Sequence, residues 1–330
     1  MLDTLKHRIA SEVGRIVGKP SGLLHTLRSM QPPTPPAYTT CASEASVIPW
    51  HLWAQQMVRD GILWRGAGPN ADSERGSILS LANLCRSERS RREIDIRQIR
   101  AATSSKSHLE EYATLHHLAT GTGRNVLDKF PAAPESIEHF MAWPEVRLGN
   151  PDSTDVVHDY RWCGAQGLVL VNGGGSHHLA AAIHLAHQFD VAHTILVTHI
   201  TYELDAIQAQ NLQEEVGLVY LPENPLDRER VEVAIEDFGS EYGILSLRGW
   251  PGHPETSILA IPLSKERSRR IYTAFLQAGW PTLNEQLEDS LVQSVRNNAS
   301  RRAAPAIHDP QMATRSTSTS EVWKAVSPGL

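Results

Sequence analysis

The chain has 330 residues, of which 41% are hydrophobic and 21% charged, and its formal net charge is −6. This composition is typical of a packed core and argues against wholesale disorder. The negative charge argues against a protein that coats nucleic acid through bulk charge. The three cysteines are far apart and odd in number, which argues against a disulfide framework or a cysteine zinc site. No apolar run reaches the ~18–20 residues of a membrane helix, so we expect a cytoplasmic protein with no membrane partner.

The first ninety residues are expected to be mainly helical. Apolar residues recur at helical spacing over 2–17, and Pro32–Pro36 predicts an extended connector. Residues 1–45 are therefore expected to form an arm, which either binds a protein partner or is loosely ordered. The region 46–90 is expected to hold helices over 48–64 and 79–84. Four arginines then crowd residues 86–92; we interpret them as a solvated helix face, with contact to nucleic-acid phosphates as the alternative.

From residue 91 to 285 strands and helices alternate, which predicts an α/β domain, with α+β as the alternative. Strands are expected at 93–99, 155–161, 167–171, 194–200, 216–221, 242–247 and 257–263. Helices are expected at 108–118, 176–188, 204–215, 226–238, 264–278 and 283–295, with Ser264 as an N-cap and Gly279 ending its helix. Residues 286–330 are expected to hold the end of the last helix and, from residue 297, a disordered tail rich in Ser, Thr, Ala, Arg and Pro.

The sequence indicates a ligand site at one place. An apolar run over 167–171 is followed by asparagine and Gly173–Gly175, and a helix-forming run begins at Ser176. A strand, a glycine turn and a helix N-terminus present free N–H groups to an anion. The Ser176 hydroxyl would cap the helix or bond the ligand, while His177 and His178 would donate hydrogen bonds to a phosphate and charge to meet it. The alternative is a tight structural turn with Ser176 as the N-cap.

Other histidines and acids in this region suggest further chemistry. Helical periodicity places His177 and His184 on the solvent side and His187 at its flank, so His184 is interpreted as a surface residue. The alternative is a zinc site formed by these three histidines. Glu203 and Asp205 follow the strand that ends near residue 200, where they would hold Mg²⁺ or act as general bases. The alternative makes them first-turn acids of the next helix.

Two further groups of residues have side chains suited to catalysis or to lining a cleft. His158 and Asp159 are neighbours on a predicted strand, so their side chains are expected to point to opposite faces and not to form a dyad. Arg248, His253 and Glu255 occupy a loop rich in proline and glycine and are candidates for lining a cleft.

The glycine turn, its helix and the next strand resemble the core of the ParB/sulfiredoxin-like superfamily over roughly residues 157–200. In that superfamily the turn reads Gly-Gly-Cys-His-Arg or a variant of it and binds nucleotide phosphates. By position the turn residues are matched by Gly174, Gly175, Ser176, His177 and His178. Serine stands where sulfiredoxins have cysteine, so thiol chemistry on peroxiredoxins is not implied. The second ParB motif, Glu-Asn-x-x-Arg, and a helix-turn-helix are missing from the sequence, so a CTP-gated DNA clamp is not implied.

Three functions follow as hypotheses. The resemblance implies a nucleotide- or phosphate-binding protein, with ATP or another nucleotide and Mg²⁺ as cofactors, that extends to phosphoryl transfer or phosphoester hydrolysis. In it, the phosphate cradle is Gly173, Gly174, Gly175 and Ser176, the charge-stabilising pair is His177 and His178, and the Mg²⁺ ligands are Glu203 or Asp205. The second hypothesis is a non-enzymatic interaction protein of a bacterial mobile element, and the third is a histidine-based metal-binding protein.

Overall fold

The computed structural model describes residues 20–35, 41–44, 47–65, 73–150, 153–163, 168–247 and 256–303. The helix expected over 2–17, the loop with Arg248, His253 and Glu255, and the chain beyond residue 303 lie outside these ranges. Within them, strands form two five-stranded sheets, and α-helices cover the sheets. None of the helices in the described ranges is long and apolar enough to cross a bilayer.

The strands in chain order are β1 (Ile62–Arg65), β2 (Ser73–Gly76), β3 (Cys85–Asp95), β4 (Ile99–Ala102), β5 (Val156–Tyr160), β6 (Leu168–Val171), β7 (Thr194–Leu204), β8 (Val216–Tyr220), β9 (Tyr242–Leu247) and β10 (Thr256–Pro262). The helices are α1 (Ser21–Arg28), α2 (Trp50–Asp60), α3 (Leu79–Ala82), α4 (Leu115–Thr120), α5 (Arg124–Leu127), α6 (Ser136–Met141), α7 (Ser176–Gln188), α8 (Ala206–Glu215), α9 (Pro225–Phe238), α10 (Glu266–Gln277) and α11 (Leu283–Ala303). The alternation of helices and strands confirms the α/β class.

One sheet is antiparallel throughout, in the order β2-β1-β9-β10-β8. Its side chains alternate as a two-sided sheet requires. Leu218 and Tyr220 point into the central core, and Val219 and Leu221 point into an outer core under α1, α9 and α10. Both faces of this sheet are therefore buried.

The other sheet is mixed, in the order β3-β7-β5-β6-β4, with β4–β6 and β5–β7 parallel. Side chains along its strands also alternate between the two faces. Val157 faces a core formed with α4, α6 and α7, whereas Tyr160 faces the central core between the sheets. Helices α2, α3, α8 and α11 also pack in the central core. Residues before 91 and after 285 therefore pack together in it. Within the described residues the chain is thus layered as helices, mixed sheet, central core, antiparallel sheet and outer helices.

The N-terminal region holds less helix than expected. The helix predicted over 48–64 ends at Asp60, because Gly61 turns the chain at φ +64° and Ile62–Arg65 joins the antiparallel sheet through β9. The arginines within 86–92 lie on strand β3, so the predicted helix face is wrong. Eleven consecutive residue pairs join β3 to β7, and this tertiary pairing overrides a weak local helix preference.

Further along the chain the corrections are smaller. The strand expected over 93–99 breaks into the end of β3 and a 3₁₀ turn at Ile96–Gln98. The helix expected over 108–118 becomes a 3₁₀ turn at Leu109–Glu111 followed by α4. Ser264 does not cap α10, which begins after Lys265 with no side-chain cap. The last helix continues to Ala303, so the expected tail is helical from 297 to 303.

Candidate functional site

The side chain of Asn172 holds the glycine turn in shape through hydrogen bonds. Its amide nitrogen donates to the Gly174 carbonyl at 2.6 Å and to the Ser176 hydroxyl at 2.9 Å. Its amide oxygen accepts from the Ser104 N–H at 3.3 Å. Asn172 is only 8% exposed, so these bonds are shielded from water. The turn therefore keeps one shape without a ligand.

The three glycines have different surroundings. Gly175 is left-handed at φ +76°, and a Cβ there would clash with the Glu145 carbonyl oxygen, so only glycine fits this position. The Gly173 N–H donates to the Asp155 carboxylate at 3.3 Å. A Cβ built on Gly174 would meet no atom of the described residues within 4 Å. In the described part of the chain, Gly174 thus borders open space at the tip of the turn.

Ser176 takes neither of the two roles expected of it. Gly175 is the N-cap of α7, and none of the described side chains caps the helix. The Ser176 hydroxyl is buried and donates to the Ser104 carbonyl. It therefore joins the turn to the segment after β4, and it does not face the open space beside Gly174.

The first turn of α7 presents N–H groups that have no acceptor within the helix. The first intrahelical bond runs from the Leu179 N–H to the Gly175 carbonyl at 3.0 Å, so the N–H groups of Ser176, His177 and His178 have no acceptor within the helix. The positive end of the helix dipole adds to their attraction for an anion. A helix end of this kind is able to bind a phosphate through its backbone alone.

Three basic side chains surround this helix end. The Arg147 guanidinium lies against the turn. If Gly173 carried a Cβ, that atom would lie 2.7 Å from Arg147 Nη2. Lys129 Nζ lies 4.3 Å above the Trp143 ring and 3.4 Å from His178 Nε2. The charge of Lys106 acts on His177. Among the described residues, the carboxylates of Asp155 and Glu145 oppose this charge, so three basic groups face two acidic ones and the local balance favours an anion.

His177 and His178 are held in place by neighbours. His177 Nε2 lies 2.8 Å from the Ser107 hydroxyl, and the His178 ring stacks on Trp143 with centroids 4.2 Å apart. Burial lowers the pKa of His177, with a further decrease from Lys106. Burial also lowers the pKa of His178, assisted by Lys129. Both imidazoles are therefore neutral at pH 7 until an anion compensates them.

Glu203 and Asp205 are not brought to the glycine turn. The turn follows Val171, which pairs with Val156 at the start of β5, whereas β7 runs parallel to β5 and carries Glu203 past its far end. The two groups are separated by the length of β5, about 16 Å at ~3.3 Å per residue. Asp205 is the N-cap of α8, accepting from two backbone N–H groups, and it pairs with Arg86. Asp205 therefore lies at the start of the next helix, as its N-cap and not as the first-turn acid of the alternative, whereas Glu203 lies on β7, which continues to Leu204.

The histidines of α7 do not form the expected set. His184 is not a free surface residue, because its ring stacks on His116 of α4 with centroids 4.7 Å apart. His187 lies 5.2 Å from His116, measured between ring centroids, whereas His177 is bonded to Ser107. In the part of the chain that the structure describes, no group of three or more His, Cys, Asp or Glu residues is arranged to hold a metal ion.

A second polar cluster lies on the central-core face of the mixed sheet, and the sequence did not reveal it. The Tyr160 hydroxyl donates to the Glu44 carboxylate, and His158 Nδ1 lies 2.9 Å from the same hydroxyl oxygen. The ring of His51 packs on Tyr202 with centroids 4.5 Å apart. Glu44 and Tyr160 are separated by 116 positions, so no local pattern joins them. We call these five residues the Glu44 cluster.

Electrostatics in the Glu44 cluster follow from burial. Burial lowers the pKa of His51 to about 4, and its Nδ1 is buried with no hydrogen-bond partner among the described residues. Burial raises the pKa of Tyr160. Burial acts to raise the pKa of Glu44, but hydrogen bonds with His158 and Tyr160 outweigh it and leave that pKa lowered. The cluster therefore holds an ionised carboxylate beside the neutral imidazole of His51.

The expected separation of His158 and Asp159 is confirmed. Asp159 points to the other face of the sheet, where its carboxylate lies 3.6 Å from His199 Nε2 and 3.6 Å from the Arg161 guanidinium. All three side chains are buried or nearly so. Strand alternation thus divides two adjacent polar residues between two clusters.

Comparisons with known proteins identify a family for this chain but no function. A family described as "Family of unknown function (DUF6685)" matches residues 89–300, from strand β3 into helix α11. No curated protein and no solved structure matches the chain. The family match extends over more than half of the sequence, and the chain therefore belongs to this family of unknown function.

Proposed function

We propose that the N-terminus of α7 binds the phosphate group of a small ligand. The observation that carries this proposal is the combination, at one helix end, of uncapped first-turn N–H groups and open space beside Gly174. The side chains of Lys106, Lys129 and Arg147 supply positive charge around it. The resemblance to ParB/sulfiredoxin-like turns supports a nucleotide as the ligand.

The proposal covers binding and not phosphoryl transfer. The acids expected to hold Mg²⁺ lie at the far end of β5 and β7, and Asp205 is occupied as a helix cap. The hydroxyl of Ser176 is committed to the Ser104 carbonyl. Phosphoryl transfer by His177 or His178 stays a prediction, and the proposal is confined to positioning and charge around the turn.

Thermal unfolding with added ligand tests the proposal. Wild-type protein is heated with inorganic phosphate, ATP, CTP and GTP, each with and without Mg²⁺. A ligand at 100 times its dissociation constant adds about 2.7 kcal/mol to the free energy of unfolding, which raises the melting temperature. Stabilisation by phosphate alone indicates a phosphate site, and stabilisation only by nucleotides indicates that base or sugar contacts are needed.

The steric control is Gly174→Val. Its side chain enters the open space beside the turn, and Gly174 is not left-handed, so the variant is expected to fold and to lose the ligand-induced shift. Arg147→Gln is expected to weaken the shift, whereas Arg269→Gln on α10 is a charge-matched control that leaves it unchanged. Absence of any shift in the wild type, or an equal shift in Gly174→Val, would contradict the site.

A further inference from the structure

Strand β3 is an open edge of unusual length. It is the outermost strand of the mixed sheet and pairs on one side with β7 over all eleven residues, in unbroken register. On its other side no strand of the described chain pairs with it. The residues from Arg86 to Glu93 are all exposed. A row of backbone N–H and C=O groups is therefore available for one more strand.

The edge carries positive charge that the rest of the described chain does not neutralise. Arg86 pairs with Asp205, but Arg89, Arg91 and Arg92 have no acidic partner within ion-pair distance among the described residues. This occurs in a chain whose net charge is −6. The residues are arginines, whose planar guanidinium binds a carboxylate through two hydrogen bonds at once.

Protection of the edge against aggregation accounts for its charge but not for its length and regularity. Natural edges are protected by charged side chains, especially lysine, and also by short strands, prolines and β-bulges. Strand β3 is long, has no proline and shows no register shift against β7. It keeps the geometry that strand addition needs and adds side chains suited to recognition.

We propose that β3 binds an extended acidic peptide segment of another protein, which adds to the mixed sheet as an antiparallel strand. Backbone hydrogen bonds supply affinity, and cross-strand pairs supply specificity. Acidic residues opposite Arg92, Arg91 and Arg89, with basic residues opposite Glu93 and Glu88, give the pattern Lys-Glu-Glu-x-Glu-Lys. Arg89 and Arg91 share one face and Arg92 points to the other, so the peptide carries acids on both faces.

A second copy of this chain fits the edge poorly. A two-fold antiparallel pair of β3 strands is centred on one residue, which faces itself. Centres at Glu88, Arg89, Arg91, Arg92 or Glu93 place two like charges directly opposite each other. A centre at Ser90 places Arg89 opposite Arg91 of the second copy twice, which offsets its two Glu88–Arg92 pairs. A centre at Ser87 pairs Arg86 with Glu88 twice, but it engages only residues 85–89 of β3 and leaves Arg91 and Arg92 unmatched. Like charges directly opposite are destabilising, so the pattern favours a partner of different sequence.

Fluorescence anisotropy with a labelled peptide tests the proposal on the full chain. The peptide holds Lys-Glu-Glu-Val-Glu-Lys between threonine- and valine-rich flanks. We expect saturable binding to the wild type and binding weakened at least about tenfold in Arg89→Glu/Arg91→Glu, where two attractive pairs become repulsive. Arg269→Glu/Arg270→Glu on α10 makes the same change of net charge away from the mixed sheet and is expected to bind as the wild type does.

Two further arms separate strand addition from general attraction. A peptide whose matching two glutamates are replaced by lysine is expected to restore binding to the Arg89→Glu/Arg91→Glu variant. N-methylation at alternate peptide residues removes either the inward or the outward N–H groups, so one methylated series is expected to lose binding and the other to keep it. Equal binding by both series, no binding at all, or stronger competition by a single-stranded oligonucleotide than by the unlabelled peptide would overturn the proposal.

Discussion

The glycine turn and the Glu44 cluster are both polar, yet they are built in opposite ways. At the turn, Asn172, Gly175 and Ser176 lie within five positions, and their polar groups shape the backbone. In the Glu44 cluster, Glu44 and Tyr160 come from distant parts of the chain, and their polar groups satisfy each other. The turn needs particular residues to adopt its shape, whereas the cluster needs the whole fold to bring its residues together. Substitutions in the turn and in the cluster test these two kinds of construction separately.

The largest effect is expected from Gly175→Ala. The left-handed backbone costs about 1–2 kcal/mol for a residue with a Cβ, and the contact with the Glu145 carbonyl adds about 1–3 kcal/mol of overpacking. Gly174→Ala, one position earlier, is expected to change the free energy of unfolding by less than about 1 kcal/mol. Urea unfolding followed by tryptophan fluorescence measures both. Equal losses would show that the turn is not shaped by Gly175.

In the Glu44 cluster, His51→Phe is expected to remove a large part of the acid sensitivity. With a pKa of about 4 in the folded chain and 6.5 in the unfolded one, His51 binds fewer protons when folded throughout that window. The free energy of unfolding therefore decreases as pH falls from about 6.5 to about 4, by roughly 3 kcal/mol. Phenylalanine does not titrate and keeps the ring packing.

Unfolding measured at intervals from pH 7.5 to pH 4 provides the readout for His51. The wild type and His51→Phe are expected to diverge progressively on the acid side, with the variant the more stable. His108→Phe replaces an exposed histidine and is expected to follow the wild type. Parallel curves for all three proteins would mean that His51 is not held neutral by burial.

Tyr160→Phe is expected to cost about 1–3 kcal/mol at pH 7. It deletes the hydroxyl that donates to Glu44 and lies beside His158, which leaves a largely buried carboxylate short of a donor. Tyr202→Phe, in the stacked neighbouring ring, removes a hydroxyl with no hydrogen bond in the described chain. It is expected to stay within about 0.5 kcal/mol of the wild type. If Tyr202→Phe were the more damaging variant, packing and not the Glu44 bond would hold the cluster.

The smallest effect concerns the pH dependence of anion binding at the glycine turn. Because His177 and His178 have lowered pKa values in the free protein, a bound anion raises them and binding takes up protons. The affinity for sulfate, which does not itself titrate, is expected to increase severalfold from pH 8 to pH 6. Calorimetry in buffers of different ionisation enthalpy counts the protons. A His177→Gln/His178→Gln variant is expected to bind without this dependence.

Local pattern predicted the turn and most of the elements around it. The helix at 176–188 and the strand at 242–247 have the expected bounds, since glycine punctuation and apolar periodicity are encoded within a few residues. The same signals failed at Arg86–Arg92, because a strand with both faces exposed has no apolar alternation to read. Its conformation is determined by pairing with β7.

The side-chain partners within the site were less accessible to sequence reasoning. Ser176 looked like a helix cap, but whether its hydroxyl faces the helix or the Ser104 carbonyl depends on a segment 72 positions away. Glu203 and Asp205 lie on or just after the next strand along the chain from the glycine turn, but strand direction in the mixed sheet places them at the opposite end. Direction and register are tertiary properties, and a single sequence does not encode them locally.

The packing of both chain halves in one central core also affects folding during synthesis. Trp50 donates its indole N–H to the hydroxyl of Ser290, 240 positions later, and α2 packs in the same core as α11. At roughly 5–20 residues per second, a ribosome needs about 12 to 48 s to synthesise the intervening chain. During that interval the tryptophan-bearing face of α2 has no α11 to pack against, so apolar surface that the folded protein buries stays exposed on the nascent chain until α11 has been made.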